Sequence, residues 1–378
     1  MKKIPYFKIS ISKNDISKVN QTLKNNWLTM GKITEKFEKM FSNYLDVNIN
    51  SCIATSSCTA SLHLIMLALK LKKGDEVIMP SLTFAADANT VFHSGAKPVF
   101  ADSNSLEDLT INIKDIKKKI TSKTKVVIIM HYGGYPSDIK EILKLKKKYN
   151  FFLIEDACHS LFSNFSKNKK LGTFGDASTF SFYSNKNMTT GEGGMIYIKN
   201  KDLSKKIKFL RNHGIDRSML DRKDKFYVYN IKYPGLNYRI DDLRSTLGLS
   251  QLKSLNKNNL MRRKIALNYV NLIKKNKLNL TIPFEKYIGG KYSYHLFVII
   301  LPPEKNNRSI IPKLLKKGVQ TSFHYPPIHM FNFYKRKKVR LPVVEEATKR
   351  LISLPMYPTL TLKEQYIIVD TIKKLLIN

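Results

Sequence analysis

The sequence predicts an α/β protein that has a large domain around a mainly parallel sheet and a smaller α/β domain at its C-terminal end. Short apolar runs rich in Val, Ile and Phe alternate with helical patterns through the first two-thirds of the chain. Such runs between amphipathic helices are typical of parallel strands covered on both faces. The 378 residues suffice for two domains. The pattern changes near Asp241, so we expect a large domain over residues 1–250 and a small one over 251–378.

The helices and strands follow from local signals, taken from the N-terminus. Ser12 and Asp15 have the spacing of a capping box and open a predicted helix. Strands are predicted at 75–80, 96–102, 125–132 and 151–157. A helical pattern at 137–150 lies between the last two of them. Repeated leucine spacing predicts a long helical passage from Asp241, and an amphipathic helix is predicted from Leu362 onward.

The net charge of the chain is strongly positive. Lys and Arg number 66 and Asp and Glu 29, which gives a formal charge of +37. A field of this sign could attract an anionic partner. However, runs such as "KDIKKKITSKTK" place lysines between regularly spaced apolar residues, as on exposed helix faces, and no zinc-finger or helix-turn-helix spacing occurs. We expect no nucleic-acid or membrane partner, and a basic nucleic-acid-binding protein with a relic site remains a remote alternative.

The cysteines and the N-terminus bear on the compartment. Cys52, Cys58 and Cys158 are too few for a disulfide framework and form no CxxC pair, which favours a reducing compartment. The opening "MKKIPYFKIS" has no apolar core of a signal peptide. The apolar stretch "SLHLIMLALKL" is too short to span a bilayer. These features predict a soluble cytoplasmic protein.

The stretch "TSSCTASLHLIM" could bind a phosphate group. Small hydroxylated residues, Ser57 and Thr59 among them, lead directly into a predicted helix. Backbone amides and hydroxyls at a helix N-terminus favour an anion because the helix dipole is positive there. Ordinary capping of the helix explains the same residues equally well. No GxxxxGK precedes the helix, so it is not a P-loop.

The stretch "LIEDACHS" places a carboxylate at the end of a predicted buried strand. Asp156 ends the strand and His159 follows three residues later. A buried carboxylate is costly unless a cation meets it, and a protonated pyridine nitrogen would serve. A helix cap or a salt bridge is the alternative for Asp156, and a structural role is the alternative for His159.

A single lysine stands out among the 66 basic residues because of its surroundings. Lys186 lies in the polar, glycine-rich stretch "SFYSNKNMTTGEGG", outside any helical pattern. A lysine that forms a covalent bond must be reachable and partly desolvated. Gly191 and Gly194 would let the backbone bend beside a ligand, and Ser181 could offer a further hydroxyl to a phosphate.

The stretch "PSLTFAADAN" adds an aromatic ring at a strand end. Phe84 could stack on a flat cofactor, although a place in the core is the simpler interpretation for one aromatic residue. Taken together, the four stretches supply a phosphate cup, a stacking ring, a carboxylate for a ring nitrogen and then a lysine. Pyridoxal 5'-phosphate requires this set of groups, so it is the cofactor that we expect.

These stretches and others resemble the DegT/DnrJ/EryC1/StrS family of pyridoxal-phosphate-dependent aminotransferases, which act on nucleotide-linked keto-sugars. The resemblance runs nearly end to end and includes "NNWLTMGKITEKFEKMF", "SSCTASLHL", "PSLTFAADANTV", "IEDACHS", "SFYSNKNMTTGEGG", "LRNHGI", "PGLNYRIDDLRSTLG", "HYPPIHM" and "LISLPMYPTLT". It implies the aspartate-aminotransferase-like architecture, known as fold type I. The large domain would then contain a mainly parallel seven-stranded sheet, and residues 1–25 could pack on the small domain.

The resemblance also implies roles for residues at the cofactor ring. Lys186 would form the Schiff base with the cofactor. Asp156 would pair with the pyridine nitrogen. His159 would contact the ring hydroxyl, and Phe84 would cover a face of the ring.

Further residues are implied to bind the cofactor phosphate and the sugar. Thr59, Ala60 and Ser181 correspond to phosphate-binding positions of the family. Asn237 would reach the phosphate in the neighbouring subunit, which predicts a homodimer with shared active sites. His324 and His329, in "HYPPIHM", could line the sugar site. The two prolines between these histidines keep them off one helical face, so no metal site is expected.

The implied reaction is a transamination in which an amino acid, expected to be L-glutamate, gives its amino group to a nucleotide-linked keto-sugar for polysaccharide or lipopolysaccharide synthesis. Some members of the family are sugar dehydratases in which histidine replaces the lysine, and others are regulatory proteins. Lys186 argues against dehydration of that kind. Another aspartate-aminotransferase-like enzyme is a further alternative, which the ordered C-terminal matches disfavour.

Overall fold

The computed structural model describes residues 3–166, 169–216, 229–336 and 338–377. Its α-helices are α1 Lys13–Leu23, α2 Lys32–Leu45, α3 Cys58–Leu69, α4 Ala85–His93, α5 Ile113–Lys119, α6 Ile139–Tyr149, α7 Lys201–Leu210, α8 Asp242–Lys275, α9 Asn307–Lys316, α10 Pro342–Arg350 and α11 Leu362–Ile377. Its strands are β1 Cys52–Thr55, β2 Glu76–Pro80, β3 Lys97–Ala101, β4 Thr124–Met130, β5 Phe152–Asp156, β6 Asn164–Ser166, β7 Lys169–Lys170, β8 Ala177–Ser181, β9 Gly194–Ile198, β10 Phe297–Ile300 and β11 Leu351–Leu354.

A seven-stranded sheet in the order β1-β9-β8-β5-β4-β2-β3 forms the centre of the molecule. The contacts from β3 through β2, β4 and β5 to β8 are parallel, and β9 runs antiparallel to both β8 and β1. The helices α4, α5 and α6 connect β2 to β3, β3 to β4 and β4 to β5, while the connection from β5 to β8 contains the short strands β6 and β7. The predicted α/β class with a mainly parallel seven-stranded sheet is therefore confirmed.

The strands predicted from apolar runs are present within a residue or two of the expected bounds. They are β2, β3, β4 and β5, and the helical pattern between the last two forms α6. The middle of β4 and β5 is fully buried, with no exposure at Val127, Ile128 or Ile154. Continuous apolar runs thus predicted these strands because helices cover both faces of the sheet.

The N-terminal helix begins at the predicted capping box. The Ser12 amide donates to the Asp15 carboxylate at 2.7 Å, and the Asp15 amide donates to the Ser12 hydroxyl at 3.1 Å. The two bonds satisfy amides that a helix leaves unpaired at its start. On the other side of α1, Thr22 meets Thr246 of α8 at 2.8 Å between their hydroxyls.

The long helix α8 joins the sheet to the C-terminal part of the chain. It has 34 residues, so the expected division at residue 250 falls inside a continuous helix. In the C-terminal part, β10 pairs antiparallel with β11. Ile4 also reaches this part, where its amide donates to the Gly318 carbonyl at 2.8 Å. The division at 250 stays a prediction. Across the described ranges, we find no helix whose length and apolar content would let it cross a membrane.

Candidate active site

A cavity of about 460 Å³ opens where several strands of the sheet end. Six of the residues singled out in the sequence line it: Thr59, Phe84, Asp156, Ser181, Lys186 and His324. They come from the start of α3, the loop after β2, the ends of β5 and β8, and the C-terminal part. In open α/β sheets the carboxyl ends of the strands are the usual place for a ligand. The fold therefore brings together residues that are far apart in the sequence.

The start of α3 forms one end of the cavity. The Ser57 hydroxyl accepts a hydrogen bond from the Ala60 amide at 3.1 Å, so Ser57 is an ordinary N-cap. The first-turn amides of the 12-residue helix have no intrahelical acceptor, and the positive end of its dipole faces the cavity wall at Thr59. Capping and anion binding are therefore compatible here, and Ala60 contributes to the cap through its backbone.

Gly194 allows β9 to approach the turn before α3. It lies opposite Ser181 of β8 and Thr55 of β1 in the sheet register. A Cβ atom at Gly194 would lie 2.5 Å from the carbonyl carbon and oxygen of Ser57. Only glycine fits such an approach. The register places the Ser181 hydroxyl beside the start of α3, where both could hold one phosphate.

Asp156 is a buried carboxylate whose negative charge has few stabilising contacts. Its side chain is 3% exposed, and its Oδ1 accepts from the Cys158 amide at 3.0 Å. Burial raises its pKa above the usual value, although the Cys158 hydrogen bonds and the charge of Lys186 act in the opposite direction. A cation placed in the cavity would stabilise the ionised carboxylate.

Lys186 lies in the turn between β8 and β9 and is half-buried. Its backbone amide donates to the Tyr183 carbonyl at 2.9 Å, which closes the turn. Its Nζ donates to the Cys158 sulfur at 3.9 Å, a weak contact that leaves the amine facing the cavity. Lys186 and Asp156 are thus held on opposite sides of Cys158, and both reach the same space.

His159 is a neutral histidine with a defined tautomer. Its Nδ1 accepts from the Gly133 amide at 3.3 Å, which places the ring proton on Nε2. Nε2 then donates to the Tyr325 hydroxyl at 2.8 Å. Burial lowers the pKa of His159 well below its usual value, and the charges of Lys186 and His324 act in the same direction. His159 contacts the cavity through Tyr325, which lines it.

The remaining predicted residues lie at different distances from the cavity. Phe84 is 58% exposed, and its ring centroid is 6.0 Å from that of Tyr325. His324 lines the cavity, and its Nδ1 meets the Ser353 hydroxyl at 3.0 Å. His329 is buried outside the lining, between the Ser81 hydroxyl at 2.6 Å and Glu345 at 3.2 Å.

Asn237 lies on the surface of this chain. Its backbone pairs with Asn212, and its side chain is exposed. The structure therefore does not bring Asn237 into the cavity of its own subunit, and a role in the neighbouring subunit stays a prediction.

Sequence reasoning gave no role to several residues of the cavity, among them Asp87, Cys158 and Tyr325. Cys158 and Tyr325 belong to stretches that had already been singled out, but their partners Lys186 and His159 lie far away in the sequence. Asp87 follows Phe84 by three residues and falls in the first turn of α4. Its place in the stretch "PSLTFAADAN", which had been singled out for Phe84, was the available signal for it.

The residues of the cavity fit pyridoxal phosphate. A buried carboxylate without a cationic partner suits a protonated ring nitrogen, and Lys186 offers an amine to the same space. Within the described residues, the buried Asp87 Oδ1 and Thr179 Oγ1 have no hydrogen-bond partner. A helix N-terminus and Ser181 could hold the phosphate, and Phe84 and Tyr325 present flat rings.

Comparison with known proteins gives the same class. The sequence profile of the DegT/DnrJ/EryC1/StrS aminotransferase family matches residues 9–373. GDP-perosamine synthase of Escherichia coli O157:H7 is 32% identical over 99% of both chains. Helicobacter pylori PseC, described as an aminotransferase of pseudoaminic acid biosynthesis, superposes with a TM-score of 0.91 at 28% identity, covering 99% of each chain. NtdA of Bacillus subtilis, solved with bound cofactor PMP, has a TM-score of 0.87 at 30% identity, covering 100% of this chain and 86% of its own.

The fold and the cavity together define an enzyme of the aspartate-aminotransferase-like architecture, fold type I. This chain belongs to the DegT/DnrJ/EryC1/StrS aminotransferase family, and it is a transaminase. The resemblance seen in the sequence is therefore confirmed, as is the prediction of pyridoxal phosphate, on which the family depends.

Proposed function

We propose that this enzyme transfers an amino group from L-glutamate to a nucleotide-linked keto-sugar and that it serves polysaccharide or lipopolysaccharide synthesis. The observation that carries the proposal is the single cavity that Lys186 and Asp156 share beside the start of α3. GDP-perosamine synthase of Escherichia coli and Helicobacter pylori PseC support the sugar substrate, since both resemble this chain over nearly their whole length.

Each side chain has a proposed task. Bound pyridoxal phosphate would supply an electron-accepting ring that stabilises negative charge at the substrate carbon. Lys186 is proposed to hold the cofactor covalently and, once released, to move a proton onto and off that carbon through Nζ. Asp156 is proposed to keep the ring nitrogen protonated by facing it as a carboxylate. The Nε2–H of His159 fixes the Tyr325 hydroxyl, which can orient the ring hydroxyl.

The lining of the cavity is less basic than the chain as a whole. The charged residues that line the whole cavity are Asp87, Asp156, Lys186 and Glu192. The charge of +37 is therefore not concentrated at this site, which favours lysines on solvated faces over a nucleic-acid surface. A nucleotide diphosphate would gain from basic groups, and a neighbouring subunit could supply them.

We propose a homodimer in which Asn237 of one subunit reaches the cofactor phosphate of the other. The exposure of Asn237 outside its own cavity supports this arrangement. His324 is proposed to contact the sugar because it lines the cavity, whereas His329 could act only from behind that wall. The three free cysteines support a cytoplasmic enzyme.

The test is the visible absorption of the purified protein after addition of pyridoxal phosphate. Wild type should bind the cofactor covalently and absorb in the visible range, and L-glutamate should bleach this absorption. Lys186→Ala should lack it, whereas Lys201→Ala, a change at an exposed lysine of α7, should behave as wild type. A panel of nucleotide-linked keto-sugars is then added to the bleached enzyme, and the amino acceptor restores the absorption.

The possible outcomes separate the parts of the proposal. If wild type shows no lysine-bound absorption, Lys186 does not carry the cofactor and the proposed site is wrong. If another amino acid bleaches the enzyme and glutamate does not, only the donor is wrong. If keto acids restore the absorption and no nucleotide-linked sugar does, the sugar substrate is wrong.

A further inference from the structure

A second buried carboxylate lies in the cavity that contains Asp156. Asp87, in the first turn of α4, is 1% exposed and lines the same cavity. Its Oδ2 accepts from the Thr83 hydroxyl at 2.5 Å. Its Oδ1 is buried and, within the described residues, has no hydrogen-bond partner. A buried oxygen without a partner is costly, so its state needs an explanation.

The surroundings of the two carboxylates differ. Besides each other, the titratable groups that act on the pair are Cys58 of α3 and, around Asp156, Cys158, Lys186, His131 and Tyr325. Burial raises the pKa of Asp87 well above its usual value, and the charge of Asp156 raises it further. The Cys158 amide and the charge of Lys186 stabilise the ionised form of Asp156, whereas Asp87 has one hydroxyl, that of Thr83, to stabilise its ionised form.

Two carboxylates in one buried space do not both ionise, because their like charges repel without solvent to screen them. A single proton shared by the pair would remove this repulsion. The proton belongs on the carboxyl group with less support for a negative charge, which is Asp87. A protonated Oδ1 becomes a hydrogen-bond donor, which explains why no donor approaches it.

We propose that Asp87 is a positioning residue that stays protonated and donates from Oδ1 to Asp156, so that Asp156 keeps the negative charge that the cofactor's ring nitrogen needs. The role toward the cofactor rests on the proposed function above. The shared proton does not, because it is a property of the protein without cofactor. As a positioning residue, Asp87 touches neither the substrate nor the reacting atoms.

The first test measures the free energy of unfolding of the cofactor-free protein from pH 5 to pH 8. A group whose pKa is raised on folding stabilises the protein below its unfolded value, about 3.9 for Asp, and loses this contribution as pH rises. Asp87→Asn cannot lose a proton. As pH rises, we therefore expect the folding equilibrium constant of Asp87→Asn, divided by that of wild type, to increase by up to about tenfold per pH unit. A constant or shrinking difference would overturn the shared proton.

Asp242→Asn is the matched control for this measurement. Asp242 is also buried in the first turn of a helix, but its carboxylate accepts from the amides of Gly31 and Thr34, both at 2.9 Å. Removal of this acceptor should destabilise the protein at neutral pH. At pH 8 we expect Asp87→Asn to raise the free energy of unfolding and Asp242→Asn to lower it. Equal losses of stability in the two variants would contradict the proposal.

The second test measures the affinity for pyridoxal phosphate by fluorescence titration. In Asp87→Asn the introduced amide can still donate to Asp156, so this variant should bind within about threefold of wild type. Asp87→Ala lacks the donor and should lose at least about tenfold, and Asp156→Asn should lose more. If Asp87→Asn loses as much as Asp156→Asn, Asp87 supplies the charge itself and the proposed role is wrong. If wild type binds no cofactor, the proposed function fails and the positioning role fails with it.

Discussion

Glu155 and Asp156 are consecutive residues at the end of β5, and their carboxylates differ in the hydrogen bonds that they accept. Both are almost fully buried. Burial raises the pKa of each, but at Glu155 the hydrogen bonds from His131 and from the backbone amides of Gly175 and Gly172 outweigh it and lower the pKa. At Asp156 burial prevails. Successive side chains of a strand point to opposite faces, so one carboxylate anchors a loop while its neighbour faces the cavity.

Glu155→Gln should destabilise the protein strongly. The change turns one carboxylate oxygen into an NH2 group, so one pair of buried donors loses its acceptor, either His131 with the Gly172 amide or the Phe174 amide with the Gly175 amide. Loss of one partner of a buried pair costs about 3–5 kcal/mol. Urea unfolding at pH 7 measures this loss. Glu141→Gln, at an exposed pair with Lys144, is the control and should cost less than about 1 kcal/mol.

The same variant should also change the acid dependence of stability. A carboxylate with a lowered folded pKa stabilises the protein above its unfolded pKa, about 4.3 for Glu, and this contribution disappears as pH falls through the folded value. Wild type should therefore lose more stability than Glu155→Gln when pH falls below about 4. Parallel pH curves would show that Glu155 carries no such contribution.

His324 should contribute acid sensitivity in a higher pH range. Burial, followed by the charge of Lys186, lowers its pKa from 6.5 to about 3. Below pH 6.5 His324 therefore binds a proton in the unfolded chain but not in the folded chain. The stability of the protein falls as pH falls through this window. His324→Gln should show a shallower decline between about pH 6.5 and 4 in thermal unfolding of the cofactor-free protein. An unchanged slope would assign the acid sensitivity to other groups.

At the scale of elements, the contact between β9 and the turn before α3 supports the proposed phosphate site. Gly194→Ala would place a methyl group 2.5 Å from the Ser57 backbone, so strand and turn must separate. Overpacking of this kind costs about 1–3 kcal/mol. Because the displaced turn carries Thr59, we also expect the affinity for pyridoxal phosphate to fall by at least about tenfold, which equals about 1.4 kcal/mol.

Gly248→Ala provides the control for this change. A Cβ atom at Gly248 of α8 would lie 2.7 Å from the Phe37 ring, and neither residue lines the cavity. Both variants should unfold at lower temperature than wild type. Only Gly194→Ala should lose cofactor affinity in a fluorescence titration. Equal affinity of the two variants would mean that the β9 contact is structural only.

At the scale of the whole molecule, the proposed dimer makes a quantitative prediction for mixed subunits. Lys186→Ala and Asn237→Asp should each be inactive alone if Asn237 serves the neighbouring site. Co-expression gives hybrid dimers in which one site carries both changes and the other carries none. Random assortment should then restore about a quarter of wild-type activity, measured as glutamate-dependent bleaching. Absence of recovery would show that one subunit supplies both residues of a site and would remove the support for shared active sites.

The fold was largely predictable because its signals are local. Apolar runs predicted β2 to β5, and the capping box at Ser12 predicted the start of α1. The division at residue 250 rests on a change in pattern and stays a prediction; it falls inside α8, which has 34 residues in total. A change in composition need not end a helix, because each backbone hydrogen bond of a helix joins residues only four positions apart.

The candidate site was predictable only in part. Lys186 and Asp156 stood out because a glycine-rich turn and a buried strand end are unusual places for a charge. His329 was paired with His324 by their closeness in sequence, yet only His324 lines the cavity. Asp87 and Tyr325 were missed because their importance comes from partners across the fold, Asp156 for one and His159 for the other.

The sequence by itself determined the order of the strands and helices, the family, and which residue types could hold a pyridine cofactor, because periodicity and short motifs are properties of neighbouring residues. The tertiary structure alone decided which of these residues share a cavity, which tautomer His159 adopts, and that Asp87 and Asp156 are buried together. These outcomes depend on burial and on partners more than a hundred positions away, such as Tyr325 for His159. Such desolvation and long-range contacts arise only when the chain has folded.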